Sequence, residues 1–265
     1  MSGTALALVL AAAVLHATWN RMLHGATDRM AAAAVGALVG AVLLLPATLA
    51  FPPVGVWPLV IASGAAEAVY FSFLTAAYRR GELSFTYPVA RGIAPFMITL
   101  GSALVLRQPL SPGRVLGSLA LGVGLTVISH AGLRGGRGPA VGFAVLTGLS
   151  IATYSVIDAR AVHSASAVGY LGAVTAVEAA VLLGAARLDW HRLWAAAAPG
   201  TGIGVGTIAA YLLVLLAYQR APASPVATLR ELSILFGLIL ARDRPGRRVW
   251  FGGVLCVLGA ALVVL

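Results

Sequence analysis

Two stretches of this chain repeat one another without gaps: AYRRGELSFTYPVARGIAPF (77–96) aligns with AYQRAPASPVATLRELSILF (217–236), at an offset of 140 residues. The alignment places Arg91 opposite Glu231, and Arg230 comes one position earlier. Both stretches lie in long apolar runs, where a charged side chain is costly. The repeat therefore predicts two related halves that carry buried charge at nearly the same depth of equivalent helices.

Further matches extend this repeat over most of the chain. They occur in the same order in both halves, at an offset of 135 residues. We therefore expect a single domain, 1–265, with a first repeat over 1–132 and a second repeat over 139–265. The further matches pair ATWN (17–20) with ATYS (152–155), Gly117 with Gly252, and Gly124 with Gly259.

Composition indicates a membrane protein. The 265 residues are 60% hydrophobic and only 10% charged, whereas soluble domains are about 25% charged. The apolar blocks approach the ~20 residues that a helix needs to cross a bilayer, and backbone groups in lipid must be satisfied within the protein. We predict an all-α integral membrane protein of about ten transmembrane helices. The predicted spans are 3–21, 30–50, 57–78, 84–106, 113–132, 139–159, 166–186, 199–219, 225–241 and 247–265.

An odd number of spans in each repeat has a consequence for topology. Five spans per half place the halves in opposite orientations across the bilayer, and such inverted five-helix repeats are a transporter architecture with its site near the midplane. The offset falls by five residues after the ninth span, 225–241. That span is therefore at the lower limit of length for crossing a membrane.

Four motifs together resemble those of one transporter family. Their order and spacing are similar to the ten-helix branch of the drug/metabolite transporter superfamily, the EamA-like transporters. The resemblance covers nearly the whole chain, and it implies a two-repeat bundle whose central cavity moves small metabolites such as amino acids. It also implies a multi-pass protein of the plasma membrane, here a bacterial inner membrane. The motifs are HATWN (16–20), AYRRGELSFTYPVARGIAP (77–95), ATYSVID (152–158) and TLRELSILF (228–236).

Charged residues within the predicted spans mark the candidate site. A charge at the bilayer centre costs roughly 2.5–3.5 kcal/mol on insertion scales, so such residues usually face the interior or a cavity. We expect Arg91 to meet a carboxylate, first Glu231 and second Glu67, and substrate contact is the alternative. Arg230 lies five residues after Pro225, so it could instead extend toward the membrane surface.

The first helix carries three polar or aromatic residues on one face, His16, Trp19 and Asn20, at spacings of three and four residues. His16 is a candidate for proton relay or a hydrogen bond between helices. Trp19 is a candidate for the cavity, although tryptophan at the end of a span often belongs to an interfacial belt.

Two further faces combine a carboxylate with a tyrosine. Glu67 and Tyr70 share a face of the third span, and Tyr154 and Asp158 share a face of the sixth. Glu67 and Glu178 are candidates for proton coupling, because burial favours the protonated form of a carboxyl group. Asp158 has a simpler interpretation as the polar end of its helix.

The fourth span adds Tyr87 and Pro88 to the candidate site. Pro88 frees a backbone carbonyl, so the helix is either irregular at the site or kinked by packing. We expect one central cavity lined by Glu67, Tyr87, Arg91, Tyr154 and Glu231.

These features predict a secondary transporter or exporter of small organic solutes that works by alternating access. The alternative is a non-transporting membrane protein whose buried ion pairs are structural. We expect no enzyme activity, cofactor, metal site or nucleic-acid partner, because no nucleophile–base set or metal-ligand spacing occurs and most arginines flank the spans. The expected partners are a solute, the lipid bilayer and a proton, in a monomer or homodimer.

The arginines favour one orientation in the membrane. Twelve lie in the loops after the odd-numbered spans and four in the alternate loops. The positive-inside rule then places both termini outside the cytoplasm, whereas the family resemblance implies both termini inside.

Overall fold

The computed structural model describes residues 1–80, 83–130, 138–185, 189–240 and 246–264, with side chains left out at 83–88, 129–130 and 238–240. Across these ranges the secondary structure is helical, and they contain no strand. The helices are α1 Gly3–Gly25, α2 Arg29–Ala50, α3 Trp57–Arg80, α4 Leu83–Leu104, α5 Pro112–His130, α6 Gly138–Ala161, α7 Ala167–Ala185, α8 Trp190–Ala195, α9 Ala197–Tyr218, α10 Ala223–Arg230, α11 Ser233–Leu240 and α12 Arg247–Val264.

Seven of the described helices are long and apolar enough to cross a membrane: α1, α2, α3, α6, α7, α9 and α12. Shorter apolar stretches lie in α4 (Val89–Leu104) and α5 (Pro112–Ile128). The outer surface exposes large apolar side chains, such as Leu49 at 72% and Leu104 at 82%. An apolar outer surface of this kind is typical of a protein whose solvent is lipid. The all-α membrane fold is as predicted.

The ninth predicted span, 225–241, is not one helix. It is divided into α10 and α11, and the break lies at Glu231 and Leu232. Around the break the amides of Glu231 and Leu232 bond to carbonyls three residues earlier, at Thr228 and Leu229, which is the tighter 3₁₀ pattern. The prediction of a continuous span was therefore wrong, and no proline or glycine in 229–234 marks the break.

Two other local expectations also need correction. The hypothesis that α4 is irregular at the site is wrong, because α4 runs as an α-helix through Pro88 and Pro95. The short helix α8 was not predicted. Asp189 caps it by accepting hydrogen bonds from the amides of His191 and Arg192.

Helices pack closely where glycines face one another. A Cβ atom at Gly124 or Gly252 would lie 2.6 Å from the carbonyl oxygen of the other residue, and Gly117 and Gly259 face each other in the same way at 2.5 Å. Residue numbers rise along α5 as they fall along α12, so these two helices are antiparallel. Small residues allow such close backbone approach in membranes, where apolar burial provides little driving force between helices.

The remaining packing brings the N-terminal and C-terminal halves of the chain together. Apart from α5 with α12, the main contacts between the halves are α1 with α9, α2 with α7, α2 with α9, α3 with α6, α3 with α7 and α4 with α6. The candidate site lies where α1, α3, α6, α7 and α9 converge.

Candidate functional site

Arg91 on α4 forms a buried ion pair with Glu231, at the C-terminal end of α10. Its Nη1 atom lies 3.1 Å from both carboxylate oxygens, and the two residues are 3% and 1% exposed. The predicted pairing is thus confirmed. A single nitrogen serves both oxygens, so this contact is not the two-nitrogen fork that arginine often forms with carboxylates.

Arg230 lies beside this pair and is fully buried. Its Nε is 3.6 Å from a Glu231 oxygen, and its Nη2 donates to the hydroxyl of Ser155 at 3.4 Å. Nη1 has no hydrogen-bond partner in the protein. The alternative in which Arg230 extends to the membrane surface is therefore wrong, because the side chain points into the bundle.

A small cavity of about 30 Å³ lies at the meeting point of five helices. It has room for roughly one or two water molecules, so the structure is closed around it. Six of its lining side chains carry rings, on α1, α3, α6 and α9. The cavity is lined by His16, Trp19, Glu67, Tyr70, Phe71, Tyr154, Leu171, Thr175, Thr207, Ile208 and Tyr211.

The rings form one continuous chain around the cavity. Successive ring centroids are 4.9–6.0 Å apart, within the range of favourable aromatic pairs. Trp19 is only 2% exposed, so its assignment to an interfacial belt is wrong. The order of the chain is His16, Trp19, Phe71, Tyr70, Tyr154 and Tyr211.

Glu67 on α3 and Glu178 on α7 are both buried, 8% and 3% exposed, on two helices that pack against each other. The Oε1 atom of Glu67 has no hydrogen-bond partner in the protein. Glu178 lines an adjoining cavity of about 10 Å³ instead.

Asp158 is the centre of a hydroxyl cluster rather than the polar end of α6. It is fully buried and accepts hydrogen bonds from Ser63 Oγ at 2.5 Å, from Tyr170 OH at 2.7 Å, and from the hydroxyl of Tyr211. One carboxylate thereby joins α3, α6, α7 and α9. The interpretation of Asp158 as a simple helix end is wrong, since its two oxygens satisfy three donors inside the bundle.

The Asp158 cluster separates the small cavity from a larger vestibule of about 450 Å³. Along α3, Leu59 lines the vestibule, Ser63 binds Asp158, and Glu67 lines the small cavity. These residues lie on successive turns of one helix. The vestibule is also lined by Gln108, Arg160 and His163, so it offers polar groups at the end of the bundle.

The predicted single cavity was wrong in part. Glu67 and Tyr154 line it, but Arg91 and Glu231 do not, because they satisfy each other. Asn20 is buried, and its amide donates to the carbonyl of His16 within α1 rather than lining the cavity. The side chains of Tyr87 and Pro88 lie outside the described part of the structure.

Some site residues were missed. Ser63 and Tyr170 bind Asp158, and Phe71 and Tyr211 line the cavity. The repeat contained a signal for the last two, because an offset of 140 residues places Phe71 opposite Tyr211. No comparable signal identified Ser63 or Tyr170.

Comparison with known proteins identifies structures with a similar fold but indicates no activity for this chain. No family model matches the chain, and no curated protein matches it. In all, 23 chains of solved structures match. One of them, described only as a crystal structure of a protein, superposes with a TM-score of 0.77 at 20% identity, covering 99% of this chain and 98% of the other. A likeness at this identity shows the shared fold alone.

Proposed function

We propose that this protein is a secondary transporter or exporter of small, amino-acid-like or other organic solutes, and a member of the EamA-like branch of the drug/metabolite transporters. In this proposal ten spans form two inverted repeats. The first comprises α1 to α5, and the second comprises α6, α7, α9, the α10–α11 pair and α12. A central site between the repeats opens alternately to either side of the bilayer.

The packing between helices supports the inverted repeats. Under the proposed equivalence, the contact of α3 with α6 corresponds to that of α9 with α1, and the contact of α2 with α9 corresponds to that of α7 with α3. The equivalent helices α5 and α12 pack on each other in antiparallel orientation, through glycines at equivalent positions. Such reciprocal contacts are expected of two halves related by a twofold axis in the membrane plane.

The single observation that carries the proposal is the closed cavity between the halves, with Glu67 in its lining and Arg230 buried near it. Glu67 offers an unpaired carboxylate oxygen and Arg230 an unpaired guanidinium nitrogen. Tyr154 lines the cavity with Glu67, and Arg230 donates a hydrogen bond to Ser155, the next residue on α6. Buried polar atoms are costly unless something binds them, and a solute with an amine and a carboxylate could satisfy both.

Two buried carboxyl groups in adjoining cavities, Glu67 on α3 and Glu178 on α7, support proton coupling. Two neighbouring carboxyl groups in an apolar environment cannot both ionise cheaply. A solute amine that binds Glu67 would compete with a proton for this carboxyl group. Solute, proton and lipid are then the partners, in a monomer or homodimer of a bacterial inner membrane, without enzyme activity.

The test is solute flux into proteoliposomes made with the purified chain. We expect uptake of at least one labelled amino acid or related amine, loss of most of this flux in Glu67→Gln, and normal flux in Asp189→Asn. The control also changes an acid to an amide, but at a helix cap outside the bundle, where Asn remains a good cap.

A non-transporting membrane protein is the second candidate. It is favoured by one observation, the direct pairing of Arg91 with Glu231, which gives these charges a structural role. Well-folded protein that moves no member of a broad panel of solutes would support this candidate and refute transport.

A further inference from the structure

A groove of about 740 Å³ lies between α4 and α5 and shares no lining residue with the small cavity. It forms where the two helices meet at glycines, because a Cβ atom at Gly92 would lie only 3.3 Å from the carbonyl oxygen of Gly122. Larger side chains beside this contact, such as Phe96 on α4 and Val123 on α5, form its walls. We call this feature the α4–α5 groove.

The α4–α5 groove opens to the apolar outside of the bundle. Leu119 and Val123, in its α5 wall, are 41% and 55% exposed. In a bilayer such a groove is filled by hydrocarbon, because an unfilled space would deprive its walls of dispersion contacts. The occupant therefore has at least one long apolar chain.

The length of the groove matches one leaflet of a bilayer. On α5 its lining extends from Ser118 to Val127, which is about 14 Å at 1.5 Å per residue. Half of the hydrocarbon core of a bilayer is about 15 Å. Arg248 lies at the Val127 end, because it precedes Gly252 by one turn of the antiparallel α12, and Gly252 packs on Ile128.

The charge at this end selects the head group. Arg248 is the only charged residue in the lining, and Arg247 is exposed beside it. Guanidinium groups match the geometry of phosphate oxygens, and basic pockets between membrane helices bind anionic lipid head groups. A zwitterionic lipid would also bring an ammonium group, for which the lining provides no carboxylate.

A second copy of this chain is a less favourable occupant of the groove. On the proposed topology, the sequence assigns most of the arginines to the loops at the Arg248 end. Two copies inserted in the same orientation would bring these positive ends together, whereas an anionic lipid neutralises the charge.

We propose that the α4–α5 groove is a binding site for one anionic phospholipid, with an acyl chain between the helices and the phosphate on Arg248. The lipid contacts α4, α5 and α12, so it stabilises the packing of these three helices. This site is separate from the small cavity and exists whether or not the protein transports a solute.

The first test compares two lipids with identical acyl chains on the unmodified, full-length protein after delipidation in neutral detergent. Dioleoylphosphatidylglycerol is anionic and dioleoylphosphatidylcholine is zwitterionic, and native mass spectrometry counts the molecules bound to each protein. We expect one tight site that prefers phosphatidylglycerol about fivefold, the contribution of one arginine near a membrane surface. Equal affinities for the two lipids overturn the proposal, and so does a lipid-free dimer that Val123→Trp dissociates.

The second test assigns the lipid to the groove with two matched pairs of variants. Arg248→Gln should abolish the preference for phosphatidylglycerol, whereas Arg247→Gln, at a neighbouring residue outside the lining, should retain it. Val123→Trp fills the groove and should lose the tight site for both lipids. Val254→Trp, at a similarly exposed valine on α12, should keep it. A preference that survives in Arg248→Gln, or that both arginine variants lose equally, overturns the location.

A third measurement needs no substitution and decides the location if a variant misfolds. Phosphatidylglycerol with a photoreactive diazirine in its acyl chain is crosslinked to the unmodified protein, and the labelled peptides are identified by mass spectrometry. Labelling concentrated in α4 and α5 supports the site. Labelling spread evenly over the exposed faces of α2 and α12 overturns it.

Discussion

Arg91 and Asp158 illustrate two ways in which a single residue can keep charge inside an apolar bundle. Arg91 meets an opposite charge from the other half of the chain, on α10. Asp158 instead accepts three hydroxyl hydrogen bonds from three other helices. Each arrangement satisfies a group that would otherwise be costly to bury. Both therefore bind helices together, and only Glu67 among the described acids keeps an unpaired buried oxygen.

We expect Arg91→Ala to destabilise the protein strongly, by about 3–5 kcal/mol, because it leaves Glu231 as an uncompensated buried charge. The double variant Arg91→Ala with Glu231→Gln should recover part of this loss. Since one nitrogen makes both contacts, Arg91→Lys should retain part of the stability. Thermal unfolding in detergent measures the stability of these three variants, with Arg220→Ala, a change at an exposed residue, as the control.

If Arg91 binds substrate instead, the opposite result is expected. The Arg91→Ala variant would then keep the melting temperature of the unmodified protein and lose only its solute flux. A double variant that is no more stable than the single one would show that Glu231 is not the partner whose charge matters.

At the scale of helices, the sequence predicted most boundaries, because the spans are separated by loops rich in arginine, proline and glycine. It did not predict the break between α10 and α11. That break arises where Glu231 bonds across the bundle to Arg91, and a contact between residues 140 positions apart leaves no local pattern. Similarly, Glu67 was identifiable as a charge within a span, but its place in the cavity lining depends on how α3 packs against α6 and α7.

Neighbouring glycines on α12 provide a matched test of helix packing. A Cβ atom at Gly252 would lie 2.6 Å from the carbonyl oxygen of Gly124, whereas one at Gly253 would meet only Leu235, at 3.5 Å. We expect Gly252→Ala to lower stability by about 1–3 kcal/mol through overpacking. Gly253→Ala should be neutral or slightly stabilising, because alanine favours helix. Equal melting temperatures for the two variants would refute the close α5–α12 contact.

The ion pair between Asp28 and Arg192 provides a pH-dependent contact outside the spans. Arg192 Nε lies 2.8 Å from the carboxylate, and this hydrogen bond lowers the pKa of Asp28 below its ordinary value. A lowered pKa means that the contribution is present above the ordinary aspartate range and is lost as the pH falls through the folded-state value. Because the pair is exposed, we expect a contribution of only about 0.5 kcal/mol.

Melting temperatures of the unmodified protein and Arg192→Gln should thus differ slightly at neutral pH and converge in acid or in high salt. Arg220→Gln, which loses only a bond to the carbonyl of Leu216, should show no such convergence. A difference that persists unchanged into strong acid would contradict the role of the Asp28 carboxylate.

At the scale of the whole molecule, the distribution of arginines predicts which face meets the cytoplasm. If each proposed span crosses once, both termini lie on the face of the vestibule, with the loops that contain Arg107, Arg114, Arg160 and Arg220. On the same premise, the sequence assigns twelve arginines to the short loops of the opposite face. Positive charge in short loops is retained on the cytoplasmic side, so this threefold bias should outweigh an orientation inferred from resemblance.

We therefore expect both termini, and the vestibule beside the Asp158 cluster, to lie outside the cytoplasm. A C-terminal alkaline phosphatase fusion should be active in a bacterial host, and a C-terminal green fluorescent protein fusion should be dark. Redistributing the positive charge should invert the orientation of the protein in the membrane. Arg-to-Gln changes at Arg79, Arg80, Arg247 and Arg248, combined with added arginines at the C-terminus, should therefore raise the fluorescence of the green fluorescent protein fusion. A bright fusion on the unmodified chain would instead place both termini inside, and the vestibule would then open to the cytoplasm.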